Sequence, residues 1–443
     1  MFAFLKSLLG TKPVPLVPAP SARAAPVMAS VVQAPLVLRT EIIDARNRLC
    51  GYRFTVPSAN AQQALAETLV LAALAAAGVA AFAERRLALV PLSAEAIVLH
   101  RHLPLQAPHT VFLLDVQQAG LPPAQLAGRL RALRDSGSQV GLCGIRSVAE
   151  QAALLAECDV VVLTLTPDSL VEFQALKRQI RSAYPAIRLL VDGVASWDEQ
   201  RMCQSLGFSY CMGDFLTTAD QIDAEAKIDQ SRLTSIELLN LLRSEAELTE
   251  LIEVAKRDPG MTYQMLQWAN APANGQSTTV TSLHQAFLVL GRNQLYRDLM
   301  VSMFRLGGAG NQARDEALLE VALRRARFLE TVAQGVLAQA TRDELFLVGL
   351  LSLFEVLLGM PMAQLVGSMQ LSADIRSVLL HSEGPYAPYL MLVLLLERNK
   401  LERAIVVART LQLDPNCLGP VTSAAFQWAQ ESIGLTASDD GAA

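Results

Sequence analysis

The sequence is poor in charge, aromatic rings and histidine. Charged residues make up 18% of the 443, aromatics 5%, and there are five histidines. The net charge of −5 lacks the basic excess of a dedicated nucleic-acid binder, so no nucleic-acid partner is expected. A gel shift lost in moderate salt would speak for one in the helical half. The six cysteines (50, 143, 158, 203, 211 and 417) form no C-x-x-C pair. That argues against a zinc or disulfide framework and fits reduced thiols in a cytoplasmic protein. No apolar run reaches membrane-spanning length: "LVLAALAAAGVAAFA" is Ala-rich, contains a glycine and predicts a buried helix. The start, "MFAFLKSLLG", is too short in its apolar part for a secretory signal. No solenoid-type period is present.

What is present is core material. Hydrophobic residues reach 52%, enough for two folded domains. Residues 1–35 read as a flexible leader rich in Pro and Ala, with no acid from position 11 to 35. Contact of that leader with a membrane surface or a partner stays open. From Leu36 the chain alternates short β-type runs ("LVLRTEII", "GYRFTV", "VFLLDV", "VGLCGI", "VVVLTL") with helical stretches ending in glycine. Several runs are apolar throughout, as parallel strands covered on both faces should be. "DARNRL" is too short for a crossover helix, so the first two strands should form an antiparallel hairpin. Eight runs predict a TIM-like (β/α) barrel over 36–220, with an open doubly wound sheet as the alternative.

From about Ser231 only helical periodicity remains, predicting an all-α domain over 231–430 and a flexible tail over 431–443. Asp258 before Pro259 is a helix start. Ser282 and Gln285 have capping-box spacing, and Gly291 suits a helix C-terminus. "DELFLVGLLSLFEVLLG", apolar almost all round, predicts one central helix.

Three stretches of the barrel region, "EIIDARNRLCGYRF", "CDVVVLTL" and "LLVDGVASWDEQRMCQSLGFSYCMGDFLT", resemble the EAL cyclic-di-GMP phosphodiesterase domain. "VAKRDPGMTYQMLQWANAP", "SLHQAFLVLGRNQL" and "GLLSLFEVLLGMPMAQLV" resemble an HDOD domain. Together, over about 39–410, the chain is similar to EAL–HDOD bacterial signalling proteins. That resemblance implies an EAL-type barrel followed by an HDOD helical domain, and cyclic-di-GMP-linked output such as motility, pili or biofilm.

The departures from the family pattern bear on chemistry. Metal-activated hydrolysis of a phosphodiester needs several carboxylates at the strand ends. The resemblance puts Arg53 at the signature glutamate, Pro91 at a metal-binding asparagine, and Cys143 and Gly144 at paired aspartates. Val162, Leu163 and Thr164 stand at a Lys-Ile-Asp, Ala195 at a second glutamate and Met212 at a glutamine. Asp115 keeps its acid, and Asp192 replaces a glutamate. In the helical half, Ser352 and Leu353 stand where HD-type phosphohydrolases carry His-Asp, a pair that HDOD domains lack.

The reading is therefore a catalytically inactive regulatory or scaffold protein: not an enzyme, with no cofactor and no metal site. It is expected to act on other signalling proteins, with a homodimer left open. Arg53, Asp115, Asp192 and Asp214 are the ligand-binding candidates at the barrel rim, with Arg53 expected to pair with a carboxylate such as Asp115. A non-hydrolysing cyclic-di-GMP or nucleotide sensor is the alternative, ranked below the scaffold, and an active phosphodiesterase comes last.

Overall fold

The computed structural model describes residues 36–57, 67–166, 170–220, 230–271, 279–304 and 312–437. The expectations for the leader, the last residues of the tail and the segment 221–229 between the halves fall outside this set.

Eight strands close a barrel in sequence order. They are β1 (Leu38–Asp44), β2 (Leu49–Thr55), β3 (Leu87–Pro91), β4 (Thr110–Asp115), β5 (Gln139–Cys143), β6 (Val160–Thr164), β7 (Arg188–Asp192) and β8 (Tyr210–Met212). β1 runs antiparallel to β2 and to β8, and the other neighbours are parallel. The expected hairpin is there. Its turn is tied by the Asp44 carboxylate, which accepts from the backbone N–H of Arg46 (2.8 Å) and of Arg48 (3.0 Å). Asn47 supplies the positive φ.

Several strands are apolar almost throughout because both faces are covered. Ile42, Leu89, Val111, Val162, Leu190 and Met212 fill the barrel. Ile43, Tyr52, Phe54, Phe112 and Val161 point out into a second core beneath the helices. The barrel's own helices are α1 (Glu67–Ala76), α2 (Val79–Ala83), α3 (Ala94–Val98), α4 (Pro123–Asp135), α5 (Ala152–Leu155), α6 (Leu170–Ala183) and α7 (Trp197–Ser205). The Ala-rich run is thus two helices rather than one. It breaks at Gly78, where φ is 74°. Within α1 only Leu71, Ala73 and Leu74 are buried.

The second half holds α8 (Gln230–Arg243), α9 (Leu248–Lys256), α10 (Pro259–Ala269), α11 (Leu283–Ser302), α12 (Gln312–Val332), α13 (Gln339–Leu351), α14 (Phe354–Leu358), α15 (Met362–Ser368), α16 (Ala373–His381), α17 (Ala387–Glu397), α18 (Leu401–Thr410) and α19 (Leu418–Ala437). Asp258 caps α10 by accepting from Gly260 and Met261 N–H. Ser282 accepts from the Gln285 N–H at 3.3 Å. Gly291 has a positive φ, but the chain turns there from one helical stretch straight into another. The expected single central helix is instead α13 and α14. Ser352 hydroxyl donates back to the Gly349 carbonyl at 2.7 Å and also accepts from Arg325, which draws the chain out of the helix at Ser352–Leu353.

The outward face of the β1–β2 hairpin is covered from both sides of the chain: Phe82 of α2 lies on it, and α12, α17 and α19 of the second half pack against the rest. Tyr52, Phe54 and Phe82 form an edge-to-face cluster with Phe426 of α19. Glu320 of α12 accepts from the Tyr52 hydroxyl at 2.5 Å, from Arg86 at 2.7 Å and from Gln430. Arg324 of α12 pairs with Glu41 of β1.

Gly51 marks the tightest strand contact. A Cβ there would lie 2.0 Å from the Leu87 carbonyl oxygen of β3. Gly51→Ala is therefore expected to cost about 3 kcal/mol through forced separation of β2 and β3. The check is the urea midpoint of the full chain, and an unchanged midpoint would contradict this packing.

Candidate functional site

The alternation of β2 decides what faces the barrel mouth. Tyr52 and Phe54 point outward, so Arg53 points in. The same parity places Pro91, Asp115, Cys143, Thr164 and Asp192 at the inner carboxyl ends of β3 to β7. In barrels of this type that face carries the chemistry.

Three of the four candidates meet there. Arg53 Nη1 donates to Asp192 Oδ2 at 2.5 Å, and each side chain is about three-quarters buried (28% and 23% exposed). Arg53 Nε is buried without a hydrogen-bond partner. The expected pairing with Asp115 does not form, because Asp115 is held locally. Its carboxylate accepts from the Gln117 N–H (2.9 Å) and from the Gln118 amide (2.7 Å). Gln117 in turn donates to the Gly144 carbonyl at 2.7 Å. Gly144 has φ 74°, and a Cβ on it would sit 2.6 Å from Asp115 Oδ1. The glycine that follows Cys143 thus lets Asp115 approach. Gln117 and Gln118 went unnoticed in the sequence, although an Asx-type turn after a strand-end aspartate was the available signal.

Cys143 lies among these charges. Burial pushes its thiol up to about 11, Asp115 and Asp192 add to the rise, and Arg53 opposes it. The thiol is therefore neutral near pH 7 and is a poor nucleophile. Asp214 follows β8 at the same end of the barrel, with no hydrogen bond to the other three candidates among the described residues. It opens a 3-10 turn, Asp214–Thr217, after β8. It lines a separate recess between the halves, with Thr40, Glu41, Arg324 and Arg398.

The donors at the mouth do not fit the metal activation that phosphodiester hydrolysis of the family type needs. Among the described residues, no group of three His, Cys, Asp or Glu is placed to hold a metal. Asp192 is engaged by a guanidinium and Asp115 by amides, while each hard cation wants several free oxygens. In the second half Ser352 accepts from Arg325 at 2.7 Å, and His284 and His381 lie exposed on their helices. Among the described residues no single helix is long and apolar enough to cross a membrane.

Comparison with known proteins supports the two-part reading. The HDOD domain family matches residues 234–363. The chain is 22% identical over 286 residues to the cyclic di-GMP phosphodiesterase CdgJ of Vibrio cholerae, over 64% of this chain and 65% of that protein, just under two thirds of its length. It is 24% identical over 297 residues to the uncharacterized protein YuxH of Bacillus subtilis, over 66% of this chain and 72% of that one. Among solved structures, an EAL domain protein from Listeria monocytogenes is 15% identical, covers 41% of this chain and 86% of its own, and has a TM-score of 0.31. The Bacillus subtilis YkuI protein, with an EAL domain, in complex with cyclic di-GMP and calcium, is 13% identical over 58% of this chain and 73% of its own, with a TM-score of 0.34. A closed eight-stranded barrel followed by a helical region that contains an HDOD domain is the order of parts that the sequence motifs imply.

One expectation is overturned. The chain was expected not to be an enzyme, yet it is similar to a protein named as a phosphodiesterase. Loss of the aligned acids does not by itself amount to loss of activity, since chemistry belongs to a site and not to fixed positions of a fold.

The state of Cys143 is directly measurable. Alkylation by iodoacetamide at pH 7 should be on the order of 100-fold slower than for an unperturbed thiol, as its raised pKa requires. Arg53→Ala should slow it further, because Arg53 is the charge favouring the thiolate. Mass spectrometry reads both, and rapid labelling of Cys143 at pH 7 would contradict the geometry.

Proposed function

We propose that the chain is a cytoplasmic regulatory protein of cyclic-di-GMP-linked signalling that acts through contacts with other signalling proteins or a second copy. Motility, pili or biofilm is its output. The observation that supports this most is the position of β2. Its inward residue, Arg53, closes on Asp192 in the mouth, and its outward neighbour, Tyr52, is bonded to Glu320 of the helical half. One strand therefore joins the barrel mouth to the HDOD-bearing half. Arg53, Asp115 and Asp192 are the groups that a phosphodiester entering the mouth would meet. A guanidinium takes a phosphate bidentately, so a ligand phosphate can exchange with Asp192 for Arg53. Asp214 belongs instead to the recess between the halves, where it is available to a group bound there.

A second reading, cyclic-di-GMP hydrolysis, is favoured by the likeness to CdgJ. Among the described residues, no group of three His, Cys, Asp or Glu is placed to supply it with a metal.

Complementation of a deletion strain separates the two. An Asp115→Asn, Asp192→Asn double variant should restore the motility or biofilm phenotype if contacts carry the output. Isolated chain, with Mg²⁺ or Mn²⁺ and cyclic di-GMP, is assayed in parallel for the linear product. Loss of phenotype together with loss of linear product in the double variant would overturn the regulatory reading in favour of hydrolysis.

A further inference from the structure

Behind the β1–β2 hairpin, on the face away from the barrel mouth, a cavity of about 30 Å³ lies between β1, α12, α17 and α19. It has room for one or two bodies the size of water and none for a nucleotide. Its polar lining is unusual. Arg39 of β1 is 7% exposed and Arg324 of α12 is 8% exposed. Arg39 spends Nη1 on the Val37 carbonyl at 3.0 Å and lays its guanidinium over the Phe426 ring, 4.2 Å from the centroid. Its Nε and Nη2 have no partner. Arg324 gives Nη2 to Glu41, and its Nη1 has no partner either. The Thr422 hydroxyl on α19 is a fourth unpartnered group lining the same cavity.

Charge points the same way. Arg325 is satisfied by Glu397, at 2.8 and 3.1 Å, and by Ser352. Glu41 serves Arg324. Among the described residues Arg39 has no carboxylate partner, so three guanidiniums face two carboxylates there. Burial and the Arg324 charge bring Arg39 down to about 9, which still leaves it protonated at neutral pH. A buried cation without a counter-charge costs several kcal/mol.

We propose that this cavity binds a small monovalent anion of chloride size, clamped between Arg39 of the barrel and Arg324 and Thr422 of the helical half. A water molecule can accept at most two hydrogen bonds, and three of the unpartnered atoms are obligate N–H donors. It also leaves the excess positive charge in place. A halide accepts from all three N–H groups and from the hydroxyl, and cancels that charge. The size of the cavity excludes larger anions such as sulfate. The site bridges the two halves of the chain, so its occupancy holds the helical half against the hairpin that carries Arg53.

The test is thermal unfolding of the full chain in sodium chloride against sodium gluconate at equal ionic strength. Chloride should raise the midpoint by about 2 °C or more, with saturation, because it binds only the folded chain. Arg39→Met should fold, since it replaces an unpaired buried cation with an apolar chain of similar length, and should abolish the difference between the two salts. Thr422→Val, which removes one donor, should shift saturation to higher chloride. A crystal soaked in bromide should show an anomalous peak between Arg39 and Arg324. No difference between the salts in the natural chain, or an Arg39→Met variant that keeps the difference, overturns the proposal. A bromide peak without a saturable shift marks binding at crystal concentration only and also overturns it.

Discussion

The Glu320 carboxylate, 3% exposed, holds the two halves of this protein together. It accepts from the Tyr52 hydroxyl, from Arg86 and from Gln430, so strand β2, the segment before β3, and α19 all converge on one side chain. A carboxylate so deeply buried is tolerable only when its oxygens are satisfied, and removing its partners costs about 3–5 kcal/mol. Burial and the nearby carboxylate push the Tyr52 hydroxyl well above its ordinary value, so it stays a donor. The aromatic contacts of Tyr52, Phe54, Phe82 and Phe426 exclude water from the same junction and strengthen each of these bonds.

This junction explains why the first two strands can be a bare hairpin. In a barrel of alternating strands and helices, each parallel strand is followed by a helix that covers its outward face. The first strand of a hairpin is followed by no such helix, so part of the hairpin's apolar outer face needs another cover. Here α12, α17 and α19 provide it, with ion pairs at Glu41–Arg324 and Arg86–Glu320 rimming the apolar centre. Because side chains alternate along β2, the residue after the buried Tyr52 faces the barrel mouth. The barrel mouth and the inter-half junction are thus opposite faces of one hairpin.

Much of the fold was legible because it rests on local rules. Apolar runs with short or helical connections gave the barrel, "DARNRL" gave the hairpin, and Asp258–Pro259 gave a helix start that Asp258 does cap. The breaks at Gly78 and at Ser352 were missed. Composition favoured continuous helix at both places, while a left-handed glycine and a Ser–Arg–carbonyl network decided otherwise. The family resemblance put Arg53, Asp115 and Asp192 at the barrel rim, but not their pairing. That depended on Gln117 and Gln118 occupying Asp115, a detail of turn geometry. Asp214 was close in sequence to the mouth, yet the turn after β8 carries it into the recess between the halves. The junction itself was illegible, since Tyr52 and Glu320 are 268 positions apart and each alone reads as an ordinary residue.

Scanning calorimetry of the full chain tests most directly whether the two halves are one mechanical unit. The account predicts a single cooperative transition in the natural chain that splits in two when Glu320→Ala removes the shared acceptor. Two separate transitions in the natural chain, or a single transition unaffected by that substitution, would contradict it.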